Sequence, residues 1–94
     1  MPVSTLTVDL RFEAVATPRQ KRRLVSGIVA KLRRHFNVSV AEVGFFEDPA
    51  AARLTVAAAG RTRAEAREAI RHAAAALEVH PLAEIARRHV EDLS

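Results

Sequence analysis

Leu6, Val8, Leu10 and Phe12 take every second position of the segment Val3 to Ala14, and Thr5, Thr7, Asp9, Arg11 and Glu13 take the positions between. Strict alternation puts the two sets on opposite faces, which is the pattern of a strand with one buried face. A few residues later the period changes. Thr17-Pro18-Arg19-Gln20 reads as a helix start: Thr as N-cap, Pro at the first helical position, and Gln three residues after Thr to complete a capping box. Leu24, Val25, Ile28, Val29, Leu32 and Phe36 then recur at helical spacing and form one apolar stripe. A strand feeding directly into an amphipathic helix commits the chain to a layered arrangement, because each element has one face to bury.

Arg19, Arg23, Ala30 and Arg34 fall on the face opposite the stripe, with Arg22 and Arg33 on its flank. Lys21 is out of place. It lies in line with the stripe, one turn before Leu24 and Val25, where its stem snorkels over the core edge or its ammonium holds a carboxylate. Asn37 marks the helix end, in the left-handed conformation that Asn tolerates.

Val38 to Phe46 is the next strand. Val38 and Val40 share one face while Val43 and Phe45 share the other, and a bulge near Ala41–Glu42 reconciles them. Glu47-Asp48-Pro49 is turn chemistry. Arg53 to Ala59 alternates again, with Leu54, Val56 and Ala58 on one face, and Gly60 closes it. Thr62-Arg63-Ala64-Glu65 is a second capping box, and Ala66, Ile70, Ala73 and Leu77 form the buried stripe of a helix that stops before His80-Pro81. Residues 82–93 are ambiguous: Leu82, Ile85, His89 and Leu93 fit a helix, whereas Ala86, Arg88 and Val90 hint at a strand. The order β-α-β-β-α favours the strand, which completes a split βαβ plait. The expected fold is a single α+β domain over residues 1–94: a ferredoxin-like βαββαβ plait, with an antiparallel sheet and two helices packed on one face.

With this architecture in place, composition excludes several function classes. The 94 residues contain no Cys, so disulfides, thiolate catalysis and Cys-based metal sites are ruled out. No apolar run reaches the ~20 residues of a membrane span. The start, MPVSTLTVDL, lacks a basic segment followed by an apolar one, so no signal peptide and a cytoplasmic location are expected. The formal net charge is +4, but it is unevenly placed. From Glu13 to Glu42 there is no acid between, while Arg19, Lys21, Arg22, Arg23, Lys31, Arg33 and Arg34 all lie there; the remainder of the chain is net acidic. A one-sided positive field suits a polyanion or an acidic protein surface.

The segment PRQKRRLVSGIVAKLRRHFNVSVAEVG, residues 18–44, resembles the YlxP-like family, a bacterial domain-of-unknown-function family (number 503). The resemblance rests on Lys21-Arg22 at the basic helix start and on Phe36-Asn37-Val38-Ser39-Val40-Ala41-Glu42-Val43 at its end. It implies a ferredoxin-like fold and a small cytoplasmic protein, encoded near translation initiation and ribosome-binding factors, and it implies no activity. After Gly44 the sequence departs from the family's Gln/Asp/Leu-Trp-like stretch and reads Phe45-Phe46-Glu47-Asp48-Pro49.

The residues themselves point to no catalytic, cofactor or metal site. Gly27, Gly44 and Gly60 are the only glycines and form no phosphate-cradling motif. His35, His72, His80 and His89 are not paired at helical ligand spacing. No nucleophile stands beside a base, and Phe12-Glu13-Ala14-Val15-Ala16 lacks the Gly-rich anion loop of acylphosphatase-type plaits. The open sheet face offers Thr5, Thr7, Asp9, Arg11, Arg53, Thr55 and Ala57 but no aromatic, which disfavours single-strand RNA binding by base stacking.

Two features remain. The basic first helix, with Arg19, Lys21, Arg22, Arg23, Lys31, Arg33 and Arg34, is a candidate phosphate-contacting surface; the plainer alternative is a solvated helix face. Glu42 is a carboxylate in mid-strand. An ion pair with Lys21 or Arg22 accounts for both oddities, preferably as a tether of helix to sheet rather than part of an anion pocket. The expected function is that of a non-enzymatic accessory factor contacting rRNA or a ribosomal subunit through the first helix. The alternative is a homodimerising protein–protein module with no nucleic-acid role, using a sheet edge or the open sheet face, which an exposed Phe45-Phe46 would favour.

Overall fold

A computed structural model describes residues 1–93; Ser94 lies outside the described residues. Six elements follow in the order β1 (Val3–Arg11), α1 (Pro18–His35), β2 (Ser39–Gly44), β3 (Ala51–Ala59), α2 (Arg63–Glu78) and β4 (Glu84–Asp92). The strands form one antiparallel sheet ordered β2-β3-β1-β4. This is the ferredoxin-like α+β plait. Within the ambiguous residues 82–93, Glu84–Asp92 is settled as a strand because β1 offers a free edge: Leu6 pairs with Val90 and Leu10 with Ile85.

The alternating residues do what their period demands. Leu6, Val8 and Leu10 from β1 and Ala52, Leu54, Val56 and Ala58 from β3 share a core with Val25, Ile28 and Leu32 of α1 and Ile70, Ala73 and Leu77 of α2. Both helices therefore cover the same face of the sheet, and the other face is left open. The alanines of β3 and α2 keep the layers close. Burying each of the larger aliphatic side chains contributes roughly 1.5–3 kcal/mol.

Three local details differ from the sequence reading. The helix α1 ends on Phe36 in an extended conformation, with its N–H returning to Leu32 O, and Asn37 is not left-handed. The left-handed residue is Phe45, at φ 59, in the β2–β3 turn where Asp48 N–H donates to Phe45 O. The β2 bulge falls at Val43 rather than Ala41–Glu42, since Glu42 still pairs with Leu54 and the register slips only before Gly44. The slip comes late because Glu42 is held on the helix-facing side. At α2, Thr62 Oγ1 accepts from Glu65 N–H, but Glu65 reaches back to Arg61 N–H instead of closing the box on Thr62. At α1 the box closes fully, with Gln20 Oε1 accepting from Thr17 N–H.

Candidate functional site

The basic residues of α1 divide into three groups. Lys21 is buried against the core edge. Its Nζ lies 3.3 Å from Glu42 Oε2 and donates to Phe45 O at 2.5 Å, so this charge is turned inward and holds α1 to both β2 and the turn that follows. Arg33 stays at the surface but donates from Nη2 to Val40 O at 3.0 Å, lying along the β2 edge. Arg19, Arg22, Arg23, Lys31 and Arg34 are exposed, and among the described residues none has a carboxylate partner. With 100° per residue, Arg19, Arg23 and Arg34 run along the outermost line of α1; Arg22 flanks the side of the β2–β3 turn, and Lys31 flanks the side of α2.

Elsewhere five arginines are neutralised within the fold. Arg53 grips Asp9 at 2.6 and 3.1 Å, Arg67 holds Asp92, Arg61 holds Glu65, Arg71 holds Glu68 and Arg88 holds Glu78. The uneven charge of the sequence thus becomes spatial: four of the six arginines of α2, β3 and β4 are paired, Arg63 and Arg87 being the exceptions among the described residues, and the outer face of α1 carries a cluster of bare cations. Unpaired guanidiniums are well suited to phosphate, which they can meet with two parallel N–H donors.

A groove of 410 Å³ runs along the other flank of α1, between its first half and the α2–β4 connection. Val15, Leu24, Ile28 and Leu82 give it an apolar lining, and Arg19 and Arg23 belong to it as well. His80 also lines it; its Nδ1 accepts from Leu82 N–H at 3.1 Å. Burial, and secondarily the charge of Lys31, pull the His80 imidazole below the usual histidine range, so at neutral pH it is uncharged with its proton on Nε2.

The open sheet face is small and polar, with Thr7 Oγ1 2.9 Å from Thr55 Oγ1 beside the Asp9–Arg53 pair. Hydrogen bonding from Arg53 holds the Asp9 carboxyl below the usual carboxylate range. One aromatic does reach the rim of this face: the Phe45 ring lies 4.8 Å from the Arg53 guanidinium carbon. Among the described residues no group of three His, Asp or Glu side chains is placed to hold a metal ion, and no helix is long and apolar enough to cross a membrane.

A family model described as a protein of unknown function (DUF503) matches residues 3–90. The chain belongs to the DUF503 family. No curated protein matches it. The matched residues run from the start of β1 almost to the end of β4, so the Phe45–Pro49 turn lies inside the DUF503 match. Membership is compatible with the YlxP-like resemblance, and it names no activity for a DUF503 chain.

Sequence reasoning brought the seven α1 cations and Glu42 into view, but it missed the groove and the Asp9–Arg53 pair of this DUF503 protein. The groove has no periodic signal because His80 and Leu82 come from a connection. The pair joins two residues 44 positions apart that were both legible as open-face residues; only the β1–β3 register sets them opposite each other.

Proposed function

We propose that this protein is a non-enzymatic accessory factor that contacts structured RNA, ribosomal RNA or a ribosomal subunit above all, through the outer face of α1. One observation carries the reading: Arg19, Arg22, Arg23, Lys31 and Arg34 are exposed on one helix and unpaired among the described residues, while Arg67 and Arg71 of α2 and Arg53 of β3 are matched to carboxylates. A cluster of this kind is held against its own repulsion, and counter-anions relieve it. Contact through phosphates requires no base readout, which fits an open sheet face without stacking aromatics on its strands. The cytoplasm is the compartment where such a partner is met.

Co-sedimentation with ribosomes and separated subunits over a salt series tests it, comparing wild type with the triple variant Arg19→Glu, Arg23→Glu, Arg34→Glu. Among the described residues none of the three side chains makes an internal bond, so the variant should fold normally. Wild type should sediment at low salt and be released steeply as salt rises, with a log–log slope of roughly 0.7–0.9 per phosphate contacted; the variant should not sediment. Failure of wild type to sediment at any salt would overturn the reading.

A second reading rests on Val43 and Phe46, which are 45% and 66% exposed beside the β2 edge. A homodimer through that edge would cover them. Gel filtration at low and high salt separates the two: a dimer through apolar contacts persists in high salt, and a charge-driven complex does not.

A further inference from the structure

The groove beside α1 shares Arg19 and Arg23 with the phosphate-contacting face, but its apolar wall plays no part in that reading. It is concave and within the ~300–1,000 Å³ range of small-molecule sites. Its lining joins two chemistries. Val15, Leu24, Ile28 and Leu82 supply an apolar wall, and Leu82 is 53% exposed, a large aliphatic side chain left at the surface. Arg19 and Arg23, one helical turn apart, supply two guanidiniums with no internal partner among the described residues, and none of the described residues lining the groove carries a carboxylate. His80 adds a further donor, since Nδ1 is occupied by Leu82 N–H and Nε2 carries the proton. We propose that this groove binds a small amphiphilic organic anion: an apolar chain or ring system lying against Val15, Leu24, Ile28 and Leu82, with a terminal carboxylate or phosphate held by Arg19 and Arg23.

Charge complementarity decides the class. A cation of the same shape would meet Arg19 and Arg23 with no acid in the lining to offset them, and a neutral apolar molecule would leave both guanidiniums unused. Gly27 provides the means to test the geometry. It lies on the groove wall, and a Cβ built there meets no atom within 4 Å. A Cβ at position 27 therefore adds to the groove wall without displacing protein atoms, and glycine in a helix interior is replaced favourably by a better helix former.

The probe is decanoate below its micellar concentration, added to the full ¹⁵N-labelled chain, with decyltrimethylammonium and decanol as controls. Decanoate should move the amide signals of residues 24–28 and of His80, Leu82 and Ala83 in a saturable manner, the cation should leave them in place, and decanol should bind more weakly than decanoate. Gly27→Leu should weaken decanoate binding at least about tenfold while melting no lower than wild type. Leu82→Glu, which puts a carboxylate on an exposed position of the lining, should weaken it equally and serves if Gly27→Leu fails to fold. Equal binding of the cation, shifts spread over the open sheet face, no saturable shift at all, or unchanged binding by a folded Gly27→Leu variant would overturn the proposal. Arg34→Glu keeps this test apart from the RNA reading: it removes a cation of the outer face without touching the groove, so ribosome binding should fall and decanoate binding should not.

Discussion

Taking an ammonium out of water costs several kcal/mol unless its charge and its donors are met. Lys21 is met twice, by Glu42 and by Phe45 O, and it lies 7% exposed in its side chain against 29% for Glu42. That asymmetry decides what each half of the pair is worth. Glu42→Gln leaves a buried cation facing a neutral amide and should cost about 1–3 kcal/mol in stability. Lys21→Met removes the cation together with its desolvation cost, and the more exposed Glu42 turns to water, so the loss should be smaller. Paired urea and thermal melts check the order; an undiminished melting temperature for Glu42→Gln would show that the pair does not tether α1 to the sheet.

Within the elements, the two glycines beside the helices behave in opposite ways. Gly27 sits inside α1 with open space where a Cβ would be, and Gly27→Ala should raise stability by about 0.5–1 kcal/mol through helix propensity and a less flexible unfolded chain. Gly60 sits between β3 and α2, where a Cβ would come 2.8 Å from Ala66 N and 2.8 Å from Glu65 Cβ. Those atoms belong to the first turn of α2, fixed by Thr62 O accepting from Ala66 N–H, so they cannot yield separately. Gly60→Ala should therefore cost about 1–3 kcal/mol, the usual penalty of overpacking. Denaturant unfolding of the two variants gives the comparison directly, and a Gly60→Ala variant as stable as wild type would show that the junction has slack.

Across the whole molecule, two carboxylates of the sheet link stability to acid. Asp9 on β1 is held below its usual range first by its hydrogen bond from Arg53 on β3, and Asp92 on β4 is lowered to about 2 by Arg67 of α2 and then by Ser4 of β1. In the unfolded chain both titrate near ~3.9. The folded state thus binds protons less readily than the unfolded one. Their contribution is fully present above that value and is lost as pH falls through it, for Asp92 down to about pH 2. Stability measured by denaturant at pH 7, 4 and 2.5 should fall over the acid range, and Asp92→Asn should lose less over the same range than wild type. Parallel wild-type and Asp92→Asn profiles would exclude this linkage for Asp92.

How much of this was legible depends on how far apart the cooperating residues are. The period-2 run of Leu6, Val8 and Leu10, the capping box at Thr17 and the stripe from Val25 to Leu32 are local signals, because backbone geometry alone fixes which side chains share a face. They determined the element order, the plait and the core, and the acid-free stretch from Ala14 to Ala41 marked α1 as basic. The segment from Leu82 to Leu93 was undecided because its own pattern is weak; the free edge of β1 made it a strand. Likewise, Lys21 and Glu42 were each conspicuous, but their distance follows from how α1 crosses β2. The groove, the Asp9–Arg53 pair and the division of the α1 cations into buried, anchored and bare were set by packing and register. Those join residues tens of positions apart, and no local periodicity encodes such a meeting.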